Sequence, residues 1–302
     1  MEINLVPENL RRLEIPSRVE IVYGHSQLPL VKISTPWSTA EIYLHGAHVT
    51  GFQKNGEPPL IFVSEKSHYA AGKPIRGGVP VCYPWFGNRD GEPSHGFVRL
   101  AEWQLVKTAV ALDGTVTAQF ALPKISGRAA WQNLRTEFVV TVGETLQMEL
   151  VAINEACGET VDIENCLHTY FHVADIGAVT LTGLEEASFD DFAFGAGGKR
   201  SPAESAPLSI TQETNRVYPN NTAAVEIRDE KLKRIIRVEK INSNSTVVWN
   251  PWTTQKMPED WGTNEHLYMV CVESGNVKQD KLSLAPGKAT LLKVVISTKP
   301  LK

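Results

Sequence analysis

The chain has 302 residues, 42% hydrophobic and 21% charged, which is enough apolar material for a sizeable core and too little charge for a disordered polymer. Its 30 Lys and Arg against 34 Asp and Glu leave a net charge of −4, which argues against nucleic acid or an anionic membrane as partner while leaving room for a local basic pocket. The four cysteines, Cys82, Cys157, Cys166 and Cys271, form no C-x-x-C pair; that speaks against a zinc ribbon, a redox motif or a disulfide scaffold and suits a reducing cytoplasm.

The first residues, Met1-Glu2-Ile3-Asn4-Leu5-Val6-Pro7, carry an early acid and no apolar run, so neither a signal nor a transit peptide is expected. No stretch approaches the roughly 20 apolar residues of a membrane span. Short runs rich in Val, Ile, Thr and Phe follow: Val19 to Tyr23, Leu30 to Ile33, Ala40 to Leu44, Val116 to Phe120, Glu137 to Val142 and Leu146 to Ile153. Turn residues such as Asp113-Gly114 and Gly143-Glu144 separate them at short intervals, the rhythm of antiparallel strands in a sandwich or barrel. Asp229 to Lys240 reads as a turn at Asp229-Glu230-Lys231 and a strand from Arg234 to Glu239. No linker, repeat or composition break divides the chain. The expectation is an all-β single domain over residues 1–302, with roughly twenty strands in two broad facing sheets.

Two segments expose chemistry. From Val161 to His172 the alternation puts Val161, Ile163, Leu167 and Phe171 on one face, interrupted by Asn165, and Asp162, Glu164, Cys166, His168, Tyr170 and His172 on the other. Such a strand either floors a ligand groove or presents ordinary polar residues to solvent. His168 and His172 are about 13 Å apart on a strand, too far for one ion, and His45 and His48 point to opposite faces, so no metal is expected. From Leu267 to Gly275 an apolar run ends in Glu273, before a Ser-Gly-Asn turn. Emerging from an apolar wall, Glu273 would have the raised pKa of a general base; as a strand-end residue it would simply meet water.

The remaining clusters read as loops. Lys73 to Pro80 holds two prolines and two glycines around Arg76, which suits bidentate bonds to phosphate or carboxylate as well as bonds to loop carbonyls. His95-Gly96-Phe97-Val98-Arg99 adds a second His–Arg loop, and Trp249-Asn250-Pro251-Trp252 offers aromatics that can pack on a sugar ring or fill a core. No nucleotide-binding glycine motif occurs, so no nucleotide cofactor is expected.

In chain order, His45-Gly46-Ala47-His48, Arg76 to Pro80 with Pro84-Trp85-Phe86-Gly87, His95 to Arg99, Leu167 to Phe171, Val248 to Trp252 and Val270 to Glu273 resemble the glucose-6-phosphate 1-epimerase (D-hexose-6-phosphate mutarotase) family of the galactose-mutarotase-like superfamily. The resemblance implies a large antiparallel β-supersandwich with the sugar on its concave face. It also implies His168 and Glu273 as catalytic pair, Arg76 and Arg99 lining the pocket, and His95 nearby. Where relatives often carry Thr-Asp-Arg-Val-Tyr, this chain has Thr214-Asn215-Arg216-Val217-Tyr218, so Asn215 keeps an acceptor at a sugar-contacting position and loses a charge. The implied reaction interconverts α and β anomers of hexose 6-phosphates. Glu273 acts as base on the C1 hydroxyl and protonated His168 as acid on the ring oxygen, in a cytoplasmic monomer. A free-aldose epimerase or a non-catalytic carbohydrate-binding sandwich are the alternatives.

Overall fold

A computed structural model describes residues 6–128, 131–195 and 197–302. Its described residues form 23 strands, paired antiparallel, in sheets of nine, eight, four and two strands. No helix among them is long and apolar enough to cross a membrane. The expected strands form with ends shifted by a few residues: Val19–Tyr23, Pro29–Ser34, Ser38–Tyr43, Val116–Ala121, Leu134–Val142, Leu146–Asn154 and Arg234–Ile241.

The nine-stranded sheet runs in the order Leu208–Ser209, Val179–Thr182, Val225–Asp229, Arg234–Ile241, Ala289–Pro300, Leu146–Asn154, Leu134–Val142, Val116–Ala121 and Gln104–Val110. Its pattern is strict: Leu146, Met148, Leu150 and Ala152 are buried, while Glu149 between them reaches Lys293 on the next strand at 2.9 Å. The eight-stranded sheet runs in the order Lys199–Ser201, Phe189–Asp191, Thr214–Pro219, Ser245–Asn250, Met269–Asn276, Asn165–Leu167 and Val81–Cys82, with Tyr170–His172 also pairing to Met269–Asn276. Both sheets and the four-stranded one contribute to one buried cluster, in which Phe120, Phe138 and Leu150 join Val81, Leu167, Val248, Val270 and Val272.

Alternation in the eight-stranded sheet decides where chemistry lies. Along Met269–Asn276, Val270 and Val272 enter that shared core, whereas Met269 and Cys271 belong to a separate cluster with Phe62 and Trp261 on the opposite face. Glu273, two residues past Cys271, keeps the parity of this second face. The neighbouring strand repeats the division, with Val248 in the core and Val247 in a cluster with Cys82, Cys166 and Val217.

Two expectations about these strands are corrected. Val161 to His172 is three short strands: Val161–Ile163 pairs with Leu282–Leu284, and Asn165–Leu167 and Tyr170–His172 both pair with Met269–Asn276. The cause is the side chain of Glu164, which accepts the backbone N–H of Phe86 at 3.0 Å and of Lys278 at 2.5 Å, so the chain changes partners there. Glu273 is not at a strand end either; the strand continues through Ser274 and Gly275 to Asn276, because Asn165–Leu167 and Ser245–Asn250 pair with those residues on both sides.

Candidate active site

The register on either side of the break at His168 is the same: Leu167 lies opposite Ser274, and Tyr170 opposite Cys271. His168 is therefore opposite Glu273 on the adjacent strand, on the face shared with Cys166 and Tyr170. Its Nε2 lies 3.2 Å from Glu273 Oε1. The other carboxylate oxygen, Oε2, accepts a weak bond from Cys166 Sγ at 3.6 Å. Glu273 is 1% exposed and His168 7%. Burial pushes the Glu273 carboxyl well above the usual carboxylate range and holds the His168 imidazole well below the usual histidine range. The expected imidazolium is thus not the resting form of His168. The pair instead holds one transferable proton in the bridge between Oε1 and Nε2.

Around this pair opens a cleft of about 570 Å³, lined among others by Arg76, His95, Arg99, Tyr170, Asn215, Trp249, Trp261 and Lys278. All seven residues named from the sequence line it, His168 and Glu273 included. The Tyr170 ring stacks on the His168 ring with centroids 4.7 Å apart, and Trp249 meets both edge-on at 6.1 and 5.9 Å. Trp249 is not a loop residue: it belongs to the strand Ser245–Asn250, with Asn215 opposite it on one side and Cys271 on the other. Trp252 packs half-buried against the core, so only one of these two tryptophans serves the cleft.

His95 stands 5.6 Å from His168, ring centroid to centroid. Burial lowers its pKa to about 3, with help from the charges of Arg99 and Lys278. The neutral ring accepts the Gly87 N–H on Nδ1 at 3.3 Å, which leaves its proton on Nε2. Its backbone is left-handed (φ 62°), and the next residue, Gly96, is too (φ 77°). A Cβ on Gly96 would lie 1.9 Å from the Tyr83 carbonyl oxygen. Gly96→Ala is expected to cost about 2–4 kcal/mol, whereas Gly91→Ala costs about 1 kcal/mol. Gly91 shares the left-handed backbone (φ 72°) but faces open space, so paired urea titrations isolate the contact from the strain.

Arg76 and Arg99 are held differently. Arg76 Nε donates to both carboxylate oxygens of Asp260, each at 3.0 Å. Arg99 is half-buried; its Nη2 donates to the Ser94 carbonyl at 2.6 Å, while its buried Nε has no partner among the described residues. The motif histidines His45 and His48 do not enter the cleft. Their Nε2 atoms donate to the carbonyls of Lys73 at 2.7 Å and Gly77 at 2.8 Å, clamping the loop that carries Arg76. Among the described residues, His168, Cys271 and Glu273 bring possible metal-ligand atoms within 4.8 Å of one another. Burial and the adjacent Glu273 push the Cys271 thiol well up, to the protonated form that is a poor ligand.

Asp260, Tyr170, Trp261 and Lys278 are site residues that sequence reasoning passes over. Tyr170 carried a signal, since it shares a strand face with His168. Asp260 and Lys278 carried none, because only the closed fold brings Asp260 to Arg76 or Lys278 to Gly87.

Residues 29–297 match the profile of the aldose 1-epimerase family. The chain belongs to that family. A protein of Escherichia coli (strain K12) described as "Putative glucose-6-phosphate 1-epimerase" is 31% identical over 256 residues, covering 82% of this chain and 83% of its own. A crystal structure described as "a putative mutarotase (YeaD) from Salmonella typhimurium" superposes with a TM-score of 0.86 at 27% identity, covering 97% of this chain and 98% of its own. A galactose mutarotase-like protein from Clostridium acetobutylicum, at 12% identity, shares the fold with a TM-score of 0.73 over 93% of this chain and 98% of its own. The aldose 1-epimerase family member described here is thus an isomerase on the galactose mutarotase-like supersandwich, and its buried His–carboxylate pair lies in the cleft of the eight-stranded sheet.

Proposed function

We propose that the protein interconverts the α and β anomers of D-glucose 6-phosphate and related hexose 6-phosphates, with His168 and Glu273 moving the protons. The observation that carries the reading is the buried His168–Glu273 bridge at the floor of a cleft that also holds half-buried Arg99. The likeness to relatives described as glucose-6-phosphate 1-epimerases supports the choice of substrate.

Anomerisation needs the C1 hydroxyl deprotonated and the ring oxygen O5 protonated as the C1–O5 bond breaks. A sugar entering the cleft separates the bridged pair, and its negative phosphate raises the proton affinity of His168. In the productive form the carboxylate of Glu273 accepts the C1 hydroxyl proton. The O1 electron pair forms C1=O1, the C1–O5 pair collapses onto O5, and O5 takes the proton from His168 Nε2. Rotation about C1–C2 exposes the other carbonyl face. On closure His168 recovers the O5 proton and Glu273 returns its own to O1, so the protein ends as it began. His95 donates its Nε2–H to a sugar oxygen, Trp249 covers one face of the ring, and Asn215 accepts from or donates to a hydroxyl. The chain acts as one domain, a cytoplasmic monomer in this reading; its buried thiols fit a reducing compartment.

Magnetisation-transfer NMR of glucose 6-phosphate and glucose tests this. The protein accelerates exchange of the phosphorylated sugar at least tenfold more than that of glucose, and Arg99→Ala lowers that preference. Sugar binding without accelerated exchange would establish a carbohydrate-binding sandwich instead, and equal acceleration of both sugars a free-aldose epimerase.

A further inference from the structure

Four cationic side chains line the cleft: Arg76, Arg99, Lys256 and Lys278. They are not equivalent. The charge of Arg76 is matched by Asp260, which takes its Nε with both oxygens. Among the described residues Arg99 has no carboxylate partner, and its buried Nε has no partner of any kind. Among the described residues no carboxylate comes within 4.0 Å of Lys278 Nζ.

Lys278, an exposed residue, also has its backbone fixed in place. It opens the turn Lys278–Asp280 directly after the site strand, with a left-handed backbone (φ 56°). Its N–H donates to Glu164 Oε1 at 2.5 Å, and Glu164 Oε2 accepts the N–H of Phe86 at 3.0 Å. One carboxylate thereby ties the Lys278 turn to the loop that ends at Gly87. The ammonium lies 5.8 Å from the centroid of the Phe192 ring, and a Cβ on Gly87 would come within 3.2 Å of Nζ, so the glycine leaves room for it. Lys278 Nζ lies against Gly87, whose N–H bonds His95 Nδ1, and Arg99 Nη2 bonds the carbonyl of Ser94, the residue before His95, so the two cations lie near the His95 ring, next to His168. Lys256 also lines the cleft, beside Gln255, whose side chain accepts the Trp249 indole N–H.

We propose that Lys278, together with Arg99, takes the substrate's phosphate and is the residue that makes the cleft select phosphorylated over free hexoses; Arg76, already paired with Asp260, shapes the wall. This rests on the hexose-phosphate reading given above. The charge balance supports it: the Arg76–Asp260 pair sums to zero, and a phosphate dianion is matched by the two remaining cations around His95. Arg offers a planar fork and Lys a movable point charge, so the pair can follow a phosphate that shifts as the ring opens.

The test is the ratio of kcat/KM for glucose 6-phosphate to that for glucose, read by anomer exchange in the intact protein. Lys278→Met is expected to lower the ratio at least tenfold, mostly through KM for the phosphorylated sugar, and Lys278→Arg to restore more than half of it. Lys278→Asn, whose side chain tolerates the left-handed backbone, is expected to match Lys278→Met and so separates lost charge from a disturbed turn. A ratio within twofold of the wild type in both Lys278→Met and Lys278→Asn would overturn the proposal, as would a larger loss in Lys256→Met. A wild-type ratio near one would overturn the phosphate reading itself, and with it this role for Lys278.

Discussion

Glu273→Gln is expected to slow anomer exchange of glucose 6-phosphate by about 10²–10⁴-fold, and His168→Asn to do the same, corresponding to about 3–5 kcal/mol of barrier for each proton-transfer group. A glutamine in place of Glu273 would fill the same volume and still face His168 and Cys166, but its amide cannot take the C1 hydroxyl proton. An asparagine in place of His168 would keep a polar group opposite Glu273 and lose the nitrogen that serves O5. The double variant is expected to be little slower than the worse single one, because the two groups work through one bridge and their losses do not add. Exchange within threefold of the wild type in either single variant, with melting temperature retained, would remove that residue from the mechanism.

Acidification is expected to destabilise the protein steeply between pH 5.5 and 4.5. Burial lowers His48 and His95 to a pKa of about 3 each, against 6.5 for the free side chain. As pH falls below 6.5 the unfolded chain takes up both protons while the native protein refuses them until about pH 3, so stability present above 6.5 is lost through that window. Each such histidine contributes a slope of up to about 1.4 kcal/mol per pH unit, or roughly 2–3 kcal/mol per unit for the two. His168 and Glu273 do not add to it near pH 5.5. The native pair keeps the proton on Glu273 that the unfolded chain would carry on His168, so native and unfolded states bind equal numbers there. Urea titrations at pH 7.0, 5.5 and 4.5 measure the slope. A loss below about 1 kcal/mol between pH 5.5 and 4.5 would show that these rings take up protons in the folded protein.

How much of this was legible in the sequence depended on distance along the chain. Strands such as Val19–Tyr23 and Leu146–Asn154 announce themselves because period-two burial is local. The polar face of Cys166, His168 and Tyr170 was readable for the same reason, although the strand breaks twice. What alternation could not show was that Glu164 would end one pairing by binding two backbone amides from distant loops. Nor could it show that Glu273 lies in mid-strand, since Ser274-Gly275-Asn276 reads as a turn until neighbours occupy both edges. Most of the motif gathers in one cleft, but the pattern did not sort its members. His45 and His48 look as reactive as His95 and turn out to brace a loop, and Arg76 looks as free as Arg99 and turns out to be paired.

The facing of His168 and Glu273 across adjacent strands has a consequence for how such a protein can change over generations. Insertion of a single residue within Met269–Asn276 upstream of Glu273 would carry the carboxylate to the opposite side and bring a valine into the cleft. Strand length there is locked by parity. The segment between Asn250 and Met269, which supplies Gln255, Lys256, Trp261 and Asp260 to the rim, carries no such constraint. New sugar preferences can therefore arise by lengthening or rewriting the rim while the floor is inherited without a change of length.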